Sequence, residues 1–301
     1  MTNTSSMENL VVVGSGPAGL SAAIYAKQAG FNPLVLRGSE SSLIATTDRV
    51  NNYLGLGDIG GLELHRRLQS HYEDVCGKDR SKIFEVVRAE RIAEGFELEN
   101  GQGEILHARA VIWATGAQPK KLNVPGEEST EAVSYCATCD GDFYSGDPAL
   151  AVVGGGDSAM EEALYLAELV DQVHLLVRST VRAKEELYAR VQNHPKISVM
   201  LETSVLALKE NEDMELELQL DGDRQLNVSG LFGAIGHVPN TEPIRSLAEL
   251  DYQGFVVKPL ATGFFCAGDV FGENHRQAII AAGDGARAGI EAAEYLRVVL
   301  G

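Results

Sequence analysis

Residues 10–29, LVVVGSGPAGLSAAIYAKQA, and residues 150–170, LAVVGGGDSAMEEALYLAELV, repeat one pattern: an apolar strand, a glycine-rich turn, then an alanine-rich amphipathic stretch. Leu10 to Val13 and Leu150 to Val153 read as the strands, and helices are expected from about Leu20 to Ala29 and from about Met160 to Val170. A second β-branched or leucine-rich strand follows each helix, Pro33 to Leu36 and Val173 to Val177. Strand, helix and strand in that order open a parallel sheet, so the chain starts the same α/β unit twice.

Between the two starts, VIWATGAQPKKLNVPG (111–126) closes a strand at Thr115 and Gly116 and then enters a Pro- and Lys-bearing crossover. A matching return lies at GHVPNTEP, residues 236–243, and beyond it come the strand end FFCAGD and an Ala-rich last helix. The expected fold class is therefore α/β, with two Rossmann-like three-layer nucleotide-binding domains, the second inserted into the first. Residues 1–117 and 240–301 would form the outer domain and 118–239 the inserted one.

A chain of 301 residues is long enough for two cores, and its hydrophobic fraction of 45% is that of a globular protein. The opening MTNTSSMEN is polar, with neither the basic nor the apolar region of a secretory leader, and no stretch is apolar enough to span a bilayer. A cytoplasmic, soluble protein without a membrane partner is expected. The formal charge of -18 argues against a nucleic-acid partner, because a phosphate backbone calls for clustered Lys and Arg.

In GSGPAG, Gly14, Gly16 and Gly19 stand where a tight turn, close approach of the backbone to a pyrophosphate, and packing of helix on strand each exclude a Cβ. Ser15, Pro17 and Ala18 complete that turn, and the helix start behind it offers free N–H groups and a dipole to phosphate. The alternative is a glycine-rich turn that binds nothing; strand before and helix after weigh against it. In the second turn Gly154, Gly156 and Ala159 keep the spacing, with Asp157 and Ser158 between. At the end of the second strand an acid would bind a free ribose 2'-hydroxyl and Arg a 2'-phosphate. The first unit has Arg37 there, with Glu40 three residues on; the second has Val177 and Arg178, then uncharged Ser179 and Thr180.

Of four cysteines only Cys136 and Cys139 have C-x-x-C spacing, which in a reducing compartment means redox or metal chemistry. Such a pair closes a disulfide, and a helix beginning at the first cysteine would lower its thiol pKa. A zinc site is the alternative, but Cys76 and Cys266 are isolated and no His pair lies near, so no metal site is expected. Asp140 follows directly and reads either as a proton relay for the thiolate or as a capping carboxylate. Cys76 and Cys266 read as buried or half-buried thiols, and His65, His71 and His194 as surface residues.

SYCATCDGDFY followed by AVVGGGDSAMEEALYLAE closely resembles the low-molecular-weight thioredoxin reductases. GSGPAGLSAAIYA, VPGEE, AIGHVPNTE, AGDV and RQAIIAAGDGA extend the resemblance over nearly the whole chain. It implies a homodimer whose outer domain holds FAD and whose inserted domain holds both NADPH and the redox disulfide. The domains would rotate so that the flavin meets the nicotinamide and then the disulfide. By position, Gly14 to Gly19 would cradle the FAD pyrophosphate, with Arg37, Asn52, Thr115, Gly116, Gly268, Asp269, Arg276, Gln277 and Ala278 around the rest. Cys136 and Cys139 would take electrons from the flavin, Asp140 would serve as acid and base, and a thioredoxin-like or other disulfide protein would be the partner.

Two stretches depart from the family. Where it carries a His-Arg-Arg cluster and a further Arg for the 2'-phosphate, this chain reads VRSTVRAK, with Arg178 in register and Arg182 displaced by one. Near the flavin its Gly-Gly-Gln-Leu becomes Ser41, Ser42, Leu43 and Ile44, and its ribose-binding Glu becomes Arg37. The donor is therefore expected to be something other than NADPH. The relatives that share such losses take electrons from ferredoxin or hold a second FAD, and a second FAD or a pyridine nucleotide would use the turn at Gly154, Gly156, Asp157, Ser158, Ala159 and Arg178. An acidic ferredoxin would need a basic patch, for which Lys120, Lys121, Arg178, Arg182 and Lys184 are the candidates. A flavin-binding redox sensor without turnover is the reading from another class.

Overall fold

The computed structural model describes residues 7–38, 42–47, 49–211, 215–272 and 275–301. Two compact units emerge, one made of residues 1–118 and 238–301, the other of 119–237. Glu40 and Ser41, named above beside the flavin, lie outside the described residues.

In the first unit β1 (Glu8–Val13), α1 (Pro17–Gln28) and β2 (Leu34–Arg37) form the βαβ opening, followed by α2 (Gly61–Cys76) and β3 (Ser81–Ile83). A meander, β4 (Val86–Ile92), β5 (Gly95–Asn100) and β6 (Ile105–Trp113), completes the sheet in the order β3-β2-β1-β6-β5-β4. The strand Phe264–Cys266, returning after the second unit, pairs parallel with the end of β6. β1 reads as a run of valines because both its faces are covered: Leu10 and Val12 face α1 and the C-terminal helix, while Val11 and Val13 face the opposite layer.

The C-terminal helix Ala278–Leu300 lies close against α1, because Gly285 and Gly289 leave no side chain between them. A Cβ on either would run into the carbonyl of Ala18 or Ala22. That contact places the start of the C-terminal helix beside the first glycine turn.

The second unit repeats the opening. β7 (Val133–Ser134), α3 (Ala137–Asp140), β8 (Ala149–Val153), α4 (Asp157–Leu169), β9 (Gln172–Val177), α5 (Glu185–Gln192) and β10 (Ile197–Leu201) run in sequence. A three-stranded antiparallel layer, β11 (Val205–Glu210), β12 (Leu216–Leu220) and β13 (Arg224–Val228), leads to β14 (Gly230–Gly233). The parallel sheet has the order β10-β9-β8-β14-β7. Leu150, Val152, Val173 and Leu175 pack on the α4 side, and Ala151 and Leu176 on the antiparallel layer. Among the described residues no helix is long and apolar enough to cross a membrane.

Both turn helices begin three residues earlier than the apolar periodicity suggests. Pro17 and Asp157 are their first residues, and the turn glycines Gly16 and Gly156 are the N-caps. His65 is corrected: it is half-buried, its Nδ1 is sealed from solvent without a partner among the described residues, and desolvation lowers its pKa. His71 is exposed, and His194 is half-buried, its Nδ1 accepting from the Lys196 N–H at 3.3 Å. Cys76 is buried and Cys266 half-buried, its thiol pushed up to about 12 by desolvation.

Candidate active site

The two glycine turns are built alike. A Cβ on Gly14 would run into the carbonyl of Ala114, and one on Gly154 into that of Ala234, each the carbonyl just past the neighbouring strand. Gly14 N–H donates to Leu36 O at 2.8 Å and Gly154 N–H to Leu176 O at 3.0 Å, which locks each turn to the second strand of its βαβ unit. Among the described residues, a Cβ built on Gly16 would meet Ser42 Oγ alone, and one on Gly156 would meet nothing. Among the described residues no side chain caps α1 or α4, so their first N–H groups stay available to an anion.

The first turn gathers residues from far along the chain. Gly268 packs on Ala18, where an added Cβ would come 2.9 Å from the Ala18 Cβ. Asn52 Nδ2 donates to Gln277 Oε1 at 3.0 Å, joining residues 225 positions apart. Thr115 is held by Asn240, whose backbone oxygen accepts from Thr115 Oγ1 at 2.8 Å and from Trp113 Nε1 at 2.9 Å. Gln277 is the N-cap of the C-terminal helix and Ala278 its first residue. Arg37, at the exposed end of β2, is placed next to the Leu36 carbonyl that the turn uses. Periodicity gave no sign of Asn240, and Ser42 stood out only as a departure from the family.

Beside this turn lies chemistry that the protein alone leaves unfinished. Desolvation pushes the Asp269 carboxyl up to about 6, against the opposing pull of Arg276. Among the described residues buried Arg276 Nε has no hydrogen-bond partner, and its guanidinium lies 5.2 Å from the Phe255 ring. The Arg276 backbone is in the left-handed region, φ 37°, a strained state for a side-chain-bearing residue. An uncapped helix start, a turn that tolerates no Cβ at Gly14, an orphaned Arg donor and a buried carboxyl fit the phosphates and hydroxyls of a dinucleotide such as FAD.

In the second unit Cys136 and Cys139 are joined by a disulfide, S–S 2.07 Å and Cα–Cα 5.2 Å. In this state neither sulfur is a thiolate that a metal could use. Cys136 is the N-cap of α3, whose Cys139 and Asp140 N–H groups donate back to Cys136 O at 3.0 and 3.1 Å. The helix expected at the first cysteine is thus one turn of four residues, so little dipole acts on the thiol. β7 and β8 are parallel with β14 between them, about 10 Å apart at the usual strand spacing. The dithiol, two residues past β7, therefore hangs from the same carboxyl edge as the second glycine turn, where open α/β sheets place their ligands.

Three polar contacts fix the approach to the dithiol. Ser134, 8% exposed, donates from Oγ to Asp140 Oδ2 at 2.5 Å and accepts the Cys136 N–H at 3.1 Å. Tyr135 donates its hydroxyl to buried Glu127, and the Leu122 N–H donates to Tyr135 Oη at 2.8 Å. Glu127 also takes the Asn123 N–H at 2.7 Å, so one carboxylate ties the 120–127 crossover to the residue before Cys136. Burial and the Glu127 bond both raise the Tyr135 pKa.

Around the second turn, Arg182 N–H donates to Gly155 O at 2.6 Å and Lys184 N–H to Asp157 Oδ1 at 2.8 Å, with Lys184 Nζ 3.5 Å from the same carboxylate. Arg178 is exposed at the end of β9, whereas Lys121 lies 5.3 Å from the Tyr135 ring beside β7. Three strand spacings, about 14 Å, separate those places, so the five cations make no single tight patch.

A family described as pyridine nucleotide-disulphide oxidoreductase matches residues 8–294. Thioredoxin reductase of Mycolicibacterium smegmatis is 37% identical over 311 residues, covering 98% of this chain and 99% of its own. The chain belongs to the thioredoxin reductase family. NADPH-dependent thioredoxin reductase 3 of Arabidopsis thaliana is 35% identical over 313 residues, covering 96% of this chain and 58% of its own. The solved thioredoxin reductase of Giardia duodenalis superposes with a TM-score of 0.88 at 30% identity, covering 96% of this chain and 98% of its own. As a thioredoxin reductase family member, the protein is a flavoprotein disulfide oxidoreductase with the α/β, Rossmann-like fold expected. The ferredoxin-fed, two-flavin and non-catalytic sensor forms gain no support from these relatives.

Proposed function

We propose that this thioredoxin reductase-like enzyme passes electrons between an FAD in the first unit and the Cys136–Cys139 couple, and from there to a thioredoxin-like disulfide protein, with a donor other than NADPH. The carrying observation is the closed Cys136–Cys139 disulfide beside Asp140, at the sheet edge that also bears an open glycine turn. Gly14 to Gly19 and the α1 start would take the pyrophosphate, and Asn52, Thr115, Gly116, Gly268, Asp269, Arg276, Gln277 and Ala278 the remainder. FAD, when bound, supplies a two-electron carrier that the side chains lack. Asp140 gives and takes the proton as the sulfurs pass between thiol and disulfide. The thioredoxin-like partner and a homodimeric assembly rest on the family.

The donor clause rests on the second turn. Val177, 1% exposed, stands where an acid would read a 2'-hydroxyl, and only Arg178 follows it before two uncharged residues. Lys184 is engaged by Asp157. A bidentate clamp on a 2'-phosphate lacks its second member. The NADPH dependence named for the Arabidopsis relative belongs to that protein.

Anaerobic titration of the FAD-bearing protein checks both clauses. Expected is about one flavin per chain, no bleaching by NADPH within a normal turnover time, and transfer from dithionite-reduced enzyme to a thioredoxin-like disulfide. Bleaching by NADPH would overturn the donor clause alone, and a colourless chain would overturn the whole proposal.

A further inference from the structure

We infer that Ser134 is a positioning residue for the proton donor of the dithiol: its buried hydroxyl links the Cys136 backbone to the Asp140 carboxylate and so ties that carboxylate to the first cysteine. The inference rests on the role proposed above for Asp140.

Hydrogen-bond polarity fixes the direction of the chain. An amide N–H only donates and an ionised carboxylate only accepts, so the hydroxyl between them must accept from Cys136 and donate to Asp140. Asp140 Oδ2 is thereby held, through one hydroxyl, to the backbone of the first cysteine. The one-turn helix cannot by itself hold the carboxylate, because Asp140 is its last residue and a 3-10 turn, Gly141–Tyr144, begins directly after it. Ser134, by contrast, closes β7, which is paired in a buried parallel sheet, so its hydroxyl is the rigid end of the link. A mere capping role does not account for this: the N-cap of α3 is Cys136, and no side chain caps it.

In the step concerned, one cysteine thiolate of the reduced couple attacks the partner disulfide, a mixed disulfide forms, and the leaving sulfur takes the proton held by Asp140. The second cysteine thiol then returns its proton to Asp140, attacks the mixed disulfide, and closes the Cys136–Cys139 bond. The second partner sulfur leaves with that proton. The dithiol is oxidised, the partner disulfide is reduced to two thiols, and the two protons of the dithiol end on them.

The leaving sulfur decides the test. Dithionite-reduced, FAD-bearing enzyme is mixed with bis(2-hydroxyethyl) disulfide, whose basic alkyl thiolate needs a proton to leave, and with dithiobis(nitrobenzoate), whose acidic aryl thiolate does not. S134A is expected to slow the alkyl disulfide about tenfold near neutral pH and to leave the aryl disulfide within about twofold. The pH limb of the alkyl reaction should also rise by about half to one unit, because loss of a donor to the carboxylate favours its protonated form. S134T, which keeps the hydroxyl, should restore both. Equal slowing of the two disulfides, or of neither, overturns the inference. Should S134A not fold, the equally shaped pair S134T and S134V replaces it, and equal rates for those two overturn it. D140N separates the levels: an unslowed alkyl reaction there removes the parent reading, whereas a slowed D140N beside an unaffected S134A removes Ser134 alone.

Discussion

Replacing Glu162 by Gln should stabilise the second unit, and only above pH 5. Glu162 lies in the second turn of α4, with Oε2 sealed from solvent and without a hydrogen-bond partner among the described residues. Burial first, and then the charge of neighbouring Glu161, pushes its carboxyl from 4.5 up to about 7. The folded chain therefore binds this proton more tightly than the unfolded one. Stability is unaffected by the group below pH 4.5, falls as pH rises from there to 7, and stays low above. At about 1.4 kcal/mol per unit the full cost is about 3 kcal/mol, of which Gln recovers all but the roughly 1 kcal/mol of a poorly bonded buried amide. A net gain of about 2 kcal/mol at pH 8, or about 8 °C in unfolding midpoint for a unit of this size, should shrink to nothing near pH 5. Urea and thermal unfolding followed by circular dichroism from pH 5 to 8 measure it. A difference between variant and parent that stays flat over that range would refute the reasoning.

Arg276→Ala should weaken FAD binding at least about tenfold, since it deletes a buried donor that has no hydrogen-bond partner among the described residues, and flavin release on dilution reads that affinity. The unfolding midpoint of the flavin-free chain should change little, because the left-handed backbone at Arg276 is strained with or without its side chain. Gly233→Ala would press a methyl into the Tyr135 ring and so disturb the residue before Cys136 together with its bonds to Glu127 and Leu122. Expected are a loss of about 1–3 kcal/mol in the second unit and slower dithiol reaction, with flavin content unchanged; an unaltered dithiol rate would show that Tyr135 does not hold the loop.

The two βαβ openings were legible because each combines three independent local signals: an apolar run buried on both faces, small residues where backbone meets backbone, and a helix whose first N–H groups are free. Gly14 and Gly154 meet the carbonyls of Ala114 and Ala234 in the same way, so one steric demand wrote the same residue twice. The helix starts were misjudged by three residues for a related reason. Apolar periodicity begins only where a helix packs, whereas Pro17 and Asp157 already belong to helices that open toward the turn.

What stayed hidden at the site depends on contacts that no local pattern encodes. Asn52 and Gln277 were named through resemblance alone, since their bond spans 225 positions, and Asn240, which holds Thr115, was not named at all. Glu162 reads as an ordinary polar position in AMEEALYLAE, and only packing reveals that its Oε2 is sealed from solvent. Ser134 sits in a two-residue strand, too short for any alternation to show which way its side chain points. Its neighbours decide that, and because Ser134 is 8% exposed its hydroxyl must find partners inside the protein. The Cys136 N–H and the Asp140 carboxylate are the two it finds, one a pure donor and the other an acceptor, and a hydroxyl is the smallest group that can join such a pair. An alanine in its place would strand both of them.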